Sequence, residues 1–563
     1  MTAAEIRARI VEVVTRNGGH LASSLGAVEI AMALAEVFDP KVDRIVWDVG
    51  HQAYAWKLLT DRGGKAFDTL RKLDGLSPFP NPGESTADAA VSGHAGVALS
   101  VAEGLAAARD LRGGSEHVVA VVGDAAIATG VSFEALNCLS ASCRKVIVVL
   151  NDNKMGISRP IGALSGLLGR LITNARYNRV KMAAERAGHR LRLTFLREVY
   201  HNFERRVKSL FLGNAYFEQF GLRYIGPVDG HDLAKLKEAF TVAKNDKRSV
   251  LVHVVTRKGK GYEPAENDPT RYHGIGPAAA ASAVGRSWSE VFGETLRELA
   301  REDSRIVALT AGMTDGTGLA DFAREFPTRF HDVGIAEEHM TAFAAGLAAG
   351  GLRPVVAIYS TFLQRAVDQV MHDVCIANLP VVFCVDRAGV VGADGVTHQG
   401  VYDIAMLRTL PNLTICQPKD EADFRALLGE ALKRSGPTVI RYPRGAAPAL
   451  AQVVGGADEA RTVIWATGDQ IAKANAVAER VGAAVFHARY IKPFDEAALA
   501  HQRAQGKWIV SLENGAIRGG FGEAIGADLK FGWPDAFVPH GSPAELERRS
   551  RFDVDSIVEV ING

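Results

Sequence analysis

Two short polar turns carry the clearest chemistry in this chain: Gly123-Asp124-Ala125 and Asn151-Asp152-Asn153. Each closes an apolar run, His117 to Val122 and Val146 to Leu150. Continuous apolar runs ended by polar turns read as buried parallel strands, and open α/β sheets bind ligands at the carboxyl ends of such strands. Asp124 and Asn153 would then sit side by side, offering two hard oxygen atoms. That pair suits Mg²⁺, which takes few protein ligands and completes its octahedron with water and phosphate oxygens. Either motif alone would pass for a polar strand end; together, at this spacing, they point to metal binding. In the second half, Gly334-Ile335-Ala336-Glu337-Glu338-His339 opens a small-residue helical stretch, Met340 to Gly350. A carboxyl group buried there would have a raised pKa and could exchange a proton with a bound ligand. Glu337 is the candidate, whereas Glu338 reads as a solvated residue favoured by the helix dipole.

The elements that must position these residues fall into three blocks of α/β pattern. The first, residues 1–282, holds both polar turns. It also contains an insert from Gly156 to about Leu212, rich in Arg and Lys and without strand pattern, which reads as a mobile helical lid or a passive surface excursion. Pro277 to Ser282 reads as a linker. The second block, 283–446, repeats the pattern through Ile306 to Thr310, Val355 to Tyr359, Val381 to Val385 and Thr414 to Gln417. The third, 447–563, has apolar runs at Thr462 to Trp465, Ala484 to His487 and Trp508 to Leu512. With 563 residues, three domains or so each have ample core.

Lysine and arginine number 65 against 64 acidic residues, so no general pull toward nucleic acid or membranes is expected. Five cysteines lack paired metal-ligand spacing, Cys138 and Cys143 being the nearest pair, and read as small apolar residues in a reducing compartment. Met1 to Arg16 has an amphipathic helical pattern and no secretory one, and Met340 to Gly351 is too short to span a bilayer. A cytoplasmic location is expected.

The Gly-Asp turn with its downstream Asn pair resembles the signature of thiamine-diphosphate enzymes. Further segments extend the resemblance over essentially the whole chain, to the 1-deoxy-D-xylulose-5-phosphate synthases. They include Gly19-His20-Leu21-Ala22-Ser23-Ser24-Leu25-Gly26, Trp47-Asp48-Val49-Gly50-His51-Gln52-Ala53-Tyr54 and Tyr224-Ile225-Gly226-Pro227-Val228-Asp229-Gly230-His231. Lys260-Gly261-Tyr262-Glu263-Pro264-Ala265-Glu266, Tyr359-Ser360-Thr361-Phe362-Leu363-Gln364-Arg365-Ala366, Thr397-His398-Gln399-Gly400 and Arg441-Tyr442-Pro443-Arg444-Gly445 add to the set. General transketolases share the cofactor motifs but not this series. The resemblance implies two thiamine-diphosphate-binding-fold domains and a transketolase C-terminal-like domain, assembled as a homodimer. It implies thiamine diphosphate and Mg²⁺ as cofactors, and decarboxylative joining of pyruvate to D-glyceraldehyde 3-phosphate.

The same resemblance assigns roles residue by residue. Glu337 would face the aminopyrimidine ring and promote loss of the thiazolium proton. His20 and His51, which read alone as structural histidines beside glycine, would face the reactive carbon and handle protons. Gly93, His94 and Ala95 would lie over the cofactor, and Gly123, Asp124, Ala125, Ala126 and Asn153 would hold its diphosphate and metal. Met155 would lend Mg²⁺ a backbone carbonyl, Tyr262 would approach the diphosphate, and His273 would line the active-site mouth. A phosphorylated acceptor calls for arginine forks. Arg365 and Arg444 match the family's phosphate arginines, with Tyr359 and Arg387 nearby, and Asp394 and His398 match its polar pair beside the substrate. Without the resemblance, Arg365 would read as a surface helix charge and Arg444 as a turn residue.

Some positions depart from the family pattern. Ala125 stands where glycine is usual, and Ala95-Gly96 where a Ser-Ser pair is usual; typical members also begin earlier, and the linker before Arg286 is shorter here. An alanine at the metal turn is tolerable if its φ is negative and costly otherwise. These changes leave open a related thiamine-dependent carboligase with another aldehyde acceptor, or a weakly active regulatory paralogue.

Overall fold

The computed structural model describes residues 1–142, 144–153, 215–278, 285–455 and 459–563. Met155, Cys143, the insert over 156–212 and most of the expected linker lie outside them. The chain divides into two compact units, one of Met1–Leu70 with Gly75–Ala280, the other of Arg71–Asp74 with Ala281–Gly563.

In the first unit, the described residues form a five-stranded parallel sheet from β1 (Arg44–Trp47), β2 (Val118–Gly123), β3 (Ile147–Asp152), β4 (Arg223–Asp229) and β5 (Val250–Val255). Their order is β1-β2-β3-β5-β4. Strand alternation divides the apolar residues between two cores. Val119, Val121, Ile147, Val149, Val250 and Val252 pack with helices Ala3–Asn17, Val28–Val37 and Leu233–Asn245 on one face. Val118, Ala120, Val122, Val148, Leu150 and Leu251 pack with Ala98–Leu111 and Gly130–Ser142 on the other. Burial of both faces explains why β2 and β3 read as unbroken apolar runs. Their register pairs Gly123 with Asn151, which sets the two polar turns side by side.

In the second unit, β6 (Ile306–Thr310), β7 (Phe330–Asp332), β8 (Arg353–Tyr359), β9 (Val382–Asp386), β10 (Thr414–Cys416) and β11 (Thr438–Arg441) form a parallel sheet. A second sheet holds β12 (Thr462–Thr467), β13 (Ala484–Ala488), β15 (Trp508–Ala516) and β16 (Leu529–Trp533). Between β13 and β15 in sequence, β14 (Tyr490–Lys492) leaves that sheet and pairs antiparallel with β10 at the edge of the other. A buried cation reinforces this junction. Arg441 donates to both carboxylate oxygens of Asp403 at 3.0 Å, to Gln417 Oε1 at 2.7 Å and to the Asn514 carbonyl at 2.9 Å. Arg441 and Asp403 are both almost fully buried, so each depends on the other. The architecture is thus α/β throughout, and among the described residues no helix is long and apolar enough to cross a membrane.

Candidate active site

The chemistry-bearing residues gather at the carboxyl ends of parallel strands, one cluster in each unit. In the first, Asp124 follows β2 and is buried, and its backbone N–H donates to the Asn151 carbonyl at 3.2 Å. Its Oδ1 accepts from the Ala125 N–H at 3.0 Å. Ala125 has φ −77° and ψ −36°, an ordinary right-handed conformation, so alanine fits this turn without strain. Asn153 follows β3 directly.

Three histidines cluster in the same unit. The His20 ring lies 5.6 Å from that of His273 and 6.1 Å from that of His51, and the His51 and His273 rings are 5.6 Å apart. The short helix Leu21–Gly26 that follows His20 holds the other two: the Ser23 hydroxyl meets His273 Nδ1 at 3.3 Å, and Ser24 donates to the His51 carbonyl at 2.9 Å. Gly19 and Ile275 exchange backbone hydrogen bonds at 2.9 Å, which brings the His273 segment alongside His20. Burial pushes the pKa of His51 and of His273 well below the ordinary value, aided by neighbouring positive groups, so both rings are neutral near pH 7.

Lys258, which the sequence reading does not single out, completes this cluster. It is buried in the loop after β5, and burial lowers its pKa to about 8 against the opposing pull of Asp124. A buried lysine within the electrostatic reach of the Asp124 carboxylate suits an anionic ligand. Tyr262, half-buried, begins helix Glu263–Asn267 and packs edge-on against Tyr272 at 5.9 Å. His94 and Ala95 are half-buried, and Gly93 and Gly96 both have positive φ, 155° and 86°. A Cβ on Gly96 would collide with the Thr129 side chain, so no side chain could be placed there without moving the loop. The carboxylate of Asp48 pins that loop, accepting from the N–H of Gly96 and of Ala98 at 2.9–3.0 Å.

The second cluster centres on Glu337, the first residue of helix Glu337–Ala349. The turn before it is set by Asp332 at the end of β7, whose carboxylate accepts from Gly312 N–H at 2.7 Å, Gly334 N–H at 3.0 Å and the Thr314 hydroxyl at 2.7 Å. Glu337 is only 3% exposed, and burial pushes its carboxyl pKa up to about 7 although Arg365, 3.5 Å away, opposes the shift. Glu338 is far more exposed, as a solvated helix start should be. Arg365 is no surface charge: its side chain is 11% exposed and lies between the two glutamates, 3.8 Å from Glu338.

Tyr359 ends β8 opposite Asp386 at the end of β9, which places Arg387 over the Tyr359 ring at 3.9 Å. Burial raises the Tyr359 pKa to about 12, keeping the phenol protonated. Arg387 itself is largely engaged within the protein, donating to Asp386 at 2.6 Å, the Gly316 carbonyl at 2.9 Å and Ser289 at 3.3 Å. The loop carrying Asp394 and His398 is closed at its base by mutual backbone bonds of Gly389 and Gly400 at 2.7 Å. Gln399 braces it from within through the N–H groups of Val391 and Gly392. His398 lies 5.7 Å from Phe362, ring to ring, and bonds Thr397 through Nδ1 at 2.9 Å. Asp394 pairs with Arg71 at 2.5 Å and Arg444 at 3.7 Å. Arg71 is a buried second arginine that spacing could not reveal, because it reaches this unit from a four-residue segment far upstream in sequence. Arg444 is more than half exposed, available to a ligand.

The 1-deoxy-D-xylulose-5-phosphate synthase of Desulforudis audaxviator is 45% identical over 590 aligned residues, covering 99% of this chain and 93% of its own length. Synthase 1 of Geobacter metallireducens is likewise 45% identical, over 99% of this chain and 94% of its own. The chain belongs to the 1-deoxy-D-xylulose-5-phosphate synthase family. Residues 1–256 match the family profile described as 1-deoxy-D-xylulose-5-phosphate synthase, 285–449 the transketolase pyrimidine binding domain, and 455–557 the transketolase C-terminal domain. Among solved structures, transketolase from Campylobacter jejuni aligns at 17% identity over 99% of this chain and 98% of its own, with a TM-score of 0.46. Members of this synthase family are transferases that use thiamine diphosphate. The residues present fit that cofactor: Glu337 Oε2 and His51 Nδ1 are buried polar atoms without a hydrogen-bond partner among the described residues, one offering a carboxyl and the other an imidazole nitrogen to a bound ligand.

Proposed function

We propose that this protein catalyses the decarboxylative condensation of pyruvate with D-glyceraldehyde 3-phosphate, releasing carbon dioxide and 1-deoxy-D-xylulose 5-phosphate. The observation that carries the reading is Glu337, a buried carboxyl held near neutrality at a helix start, in a chain of this family. Thiamine diphosphate, when bound, would supply a nucleophilic carbon and an electron sink for the decarboxylation of pyruvate. Glu337 would hydrogen-bond the aminopyrimidine and share a proton with it. Asp124, Asn153 and the Met155 carbonyl would hold Mg²⁺, which with Lys258 would balance the diphosphate charge. His20 and the neutral rings of His51 and His273 would move protons at the reacting carbon and the acceptor oxygen.

Arg444 and Arg365 read the acceptor's phosphate, Tyr359 and Arg387 line its approach, and Asp394 with His398 orients its hydroxyl groups. Three domains, 1–282, 283–446 and 447–563, are assigned to diphosphate binding, pyrimidine binding and dimer support, with the active protein a cytoplasmic homodimer. The matching profile ranges support the first two divisions.

The decisive experiment has two parts. Calorimetric titration with Mg²⁺ and thiamine diphosphate should give saturable binding, and a product assay with pyruvate should favour D-glyceraldehyde 3-phosphate over unphosphorylated glyceraldehyde. Binding with a preference for another aldehyde would make the protein a different carboligase. No binding at all would leave a regulatory role.

A further inference from the structure

We propose that Gln52 is a cofactor-binding residue whose side-chain amide nitrogen donates to the diphosphate of the bound cofactor, an assignment that rests on the thiamine-diphosphate reading above. Gln52 follows His51 and is 3% exposed. Its Oε1 accepts from Asn151 Nδ2 at 2.7 Å, and Asn151 Oδ1 accepts from the Thr256 hydroxyl at 2.6 Å. With the Thr256 hydroxyl donating to its oxygen, the Asn151 amide turns its nitrogen to Gln52 Oε1. The chain of bonds ends on Gln52 Nε2, which has no hydrogen-bond partner among the described residues.

A buried donor left without an acceptor is destabilising, and folded proteins rarely retain one without use. The position of this one indicates the use. Asn151 lies in the last two residues of β3, two positions before Asn153. The Asn151 carbonyl receives the N–H of Asp124, and Thr256 stands two residues before Lys258. Gln52 is therefore wired to the three segments that supply the metal ligands and the buried cation. An acceptor entering here is an anionic oxygen, which makes the stronger, charge-assisted bond. Asn151 and Thr256 fix the direction of the donor before the ligand arrives, so little ordering remains on binding.

The test uses the apo-protein and two ligands, thiamine diphosphate and inorganic pyrophosphate, each with Mg²⁺, followed by titration calorimetry. Gln52→Glu keeps an acceptor for Asn151 and replaces the donor with a second carboxylate oxygen. Gln52→Met keeps the length and removes both. The parent should bind both ligands, and each variant should bind both about ten- to a hundredfold more weakly, the glutamate being the worse. Unchanged pyrophosphate affinity in the folded variants would overturn the proposal, whether thiamine diphosphate binding stays the same or falls, because the amide would then serve the fold, a water or the ring. If one variant fails to fold, the other decides by the same criterion. A parent that binds no thiamine diphosphate would sink the cofactor reading itself, a result distinct from an indifferent Gln52.

Discussion

Glu337 and Arg365 form the pair on which residue-level behaviour turns. Glu337 is uncharged when protonated, and the fold favours that form, raising its pKa from 4.5 to about 7. A group whose pKa is raised on folding contributes stability that is fully present below the unfolded value and lost as pH climbs through the folded one. The apo-protein should therefore lose on the order of 3 kcal/mol between about pH 4.5 and pH 7 from this residue. Glu337→Gln should flatten that part of the pH–stability profile in thermal melts. It should also slow exchange of the thiazolium proton by about 10² to 10⁴, followed by NMR in heavy water. Unchanged exchange would remove Glu337 from proton transfer.

Arg365 is more than a phosphate ligand in prospect, because its guanidinium already restrains the Glu337 pKa. Arg365→Ala should raise that pKa further and disturb the pyruvate half-reaction as well as the acceptor step. Arg444, exposed and paired at 3.7 Å with Asp394, isolates the acceptor effect. Arg444→Ala should raise the KM for D-glyceraldehyde 3-phosphate about ten- to a hundredfold, with far less change for pyruvate. Equal losses with phosphorylated and unphosphorylated aldehyde would show that Arg444 does not read phosphate.

At the scale of elements, the two departures at the cofactor loops have different physical standing. Ala125 has a right-handed conformation, so Ala125→Gly should leave cofactor constants nearly unchanged. It should cost a few tenths to about 1 kcal/mol in denaturant unfolding, through the added freedom of the unfolded chain. A clear gain in cofactor affinity would mean that the turn relaxes on binding into a conformation that alanine resists. Gly96 is the opposite case, with φ +86° and Thr129 where a side chain would go. Gly96→Ser should cost about 1–3 kcal/mol and weaken cofactor binding, because the loop pinned by Asp48 must shift. A stable Gly96→Ser protein with unchanged cofactor binding would refute that account.

At the scale of the whole molecule, the buried pair Arg441–Asp403 does what surface ion pairs rarely do. Arg441 ends the last parallel strand of the larger second-unit sheet and also binds the Asn514 carbonyl of the smaller sheet. Asp403→Ala leaves a buried guanidinium without its carboxylate, which typically costs 3–5 kcal/mol. The expected outcome is a marked loss of stability in denaturant unfolding, with the second unit's two sheets losing their cooperative transition. A single, unshifted transition would assign the junction to apolar packing and the β10–β14 strand pair.

The sequence by itself determined the strand ends and what stands on them. Apolar runs closing on Gly123-Asp124 and Asn151-Asp152-Asn153 became adjacent parallel strands because burial on both faces demands such runs, and their register made the two turns neighbours. Glu337 was legible as a helix start, and its contrast with Glu338 followed from which side of the first turn is covered. Only the tertiary structure decided what depends on long-range burial and backbone direction. Lys258 looks like one basic residue among several until burial lowers its pKa, and Arg365 looks like a surface charge until Glu337 is placed beside it. Arg71 and Asp394 are more than three hundred positions apart, and no local pattern announces their 2.5 Å contact. The sign of φ at Ala125 and Gly96 was equally hidden, since alanine and glycine are each compatible with several turns and the surrounding packing selects one.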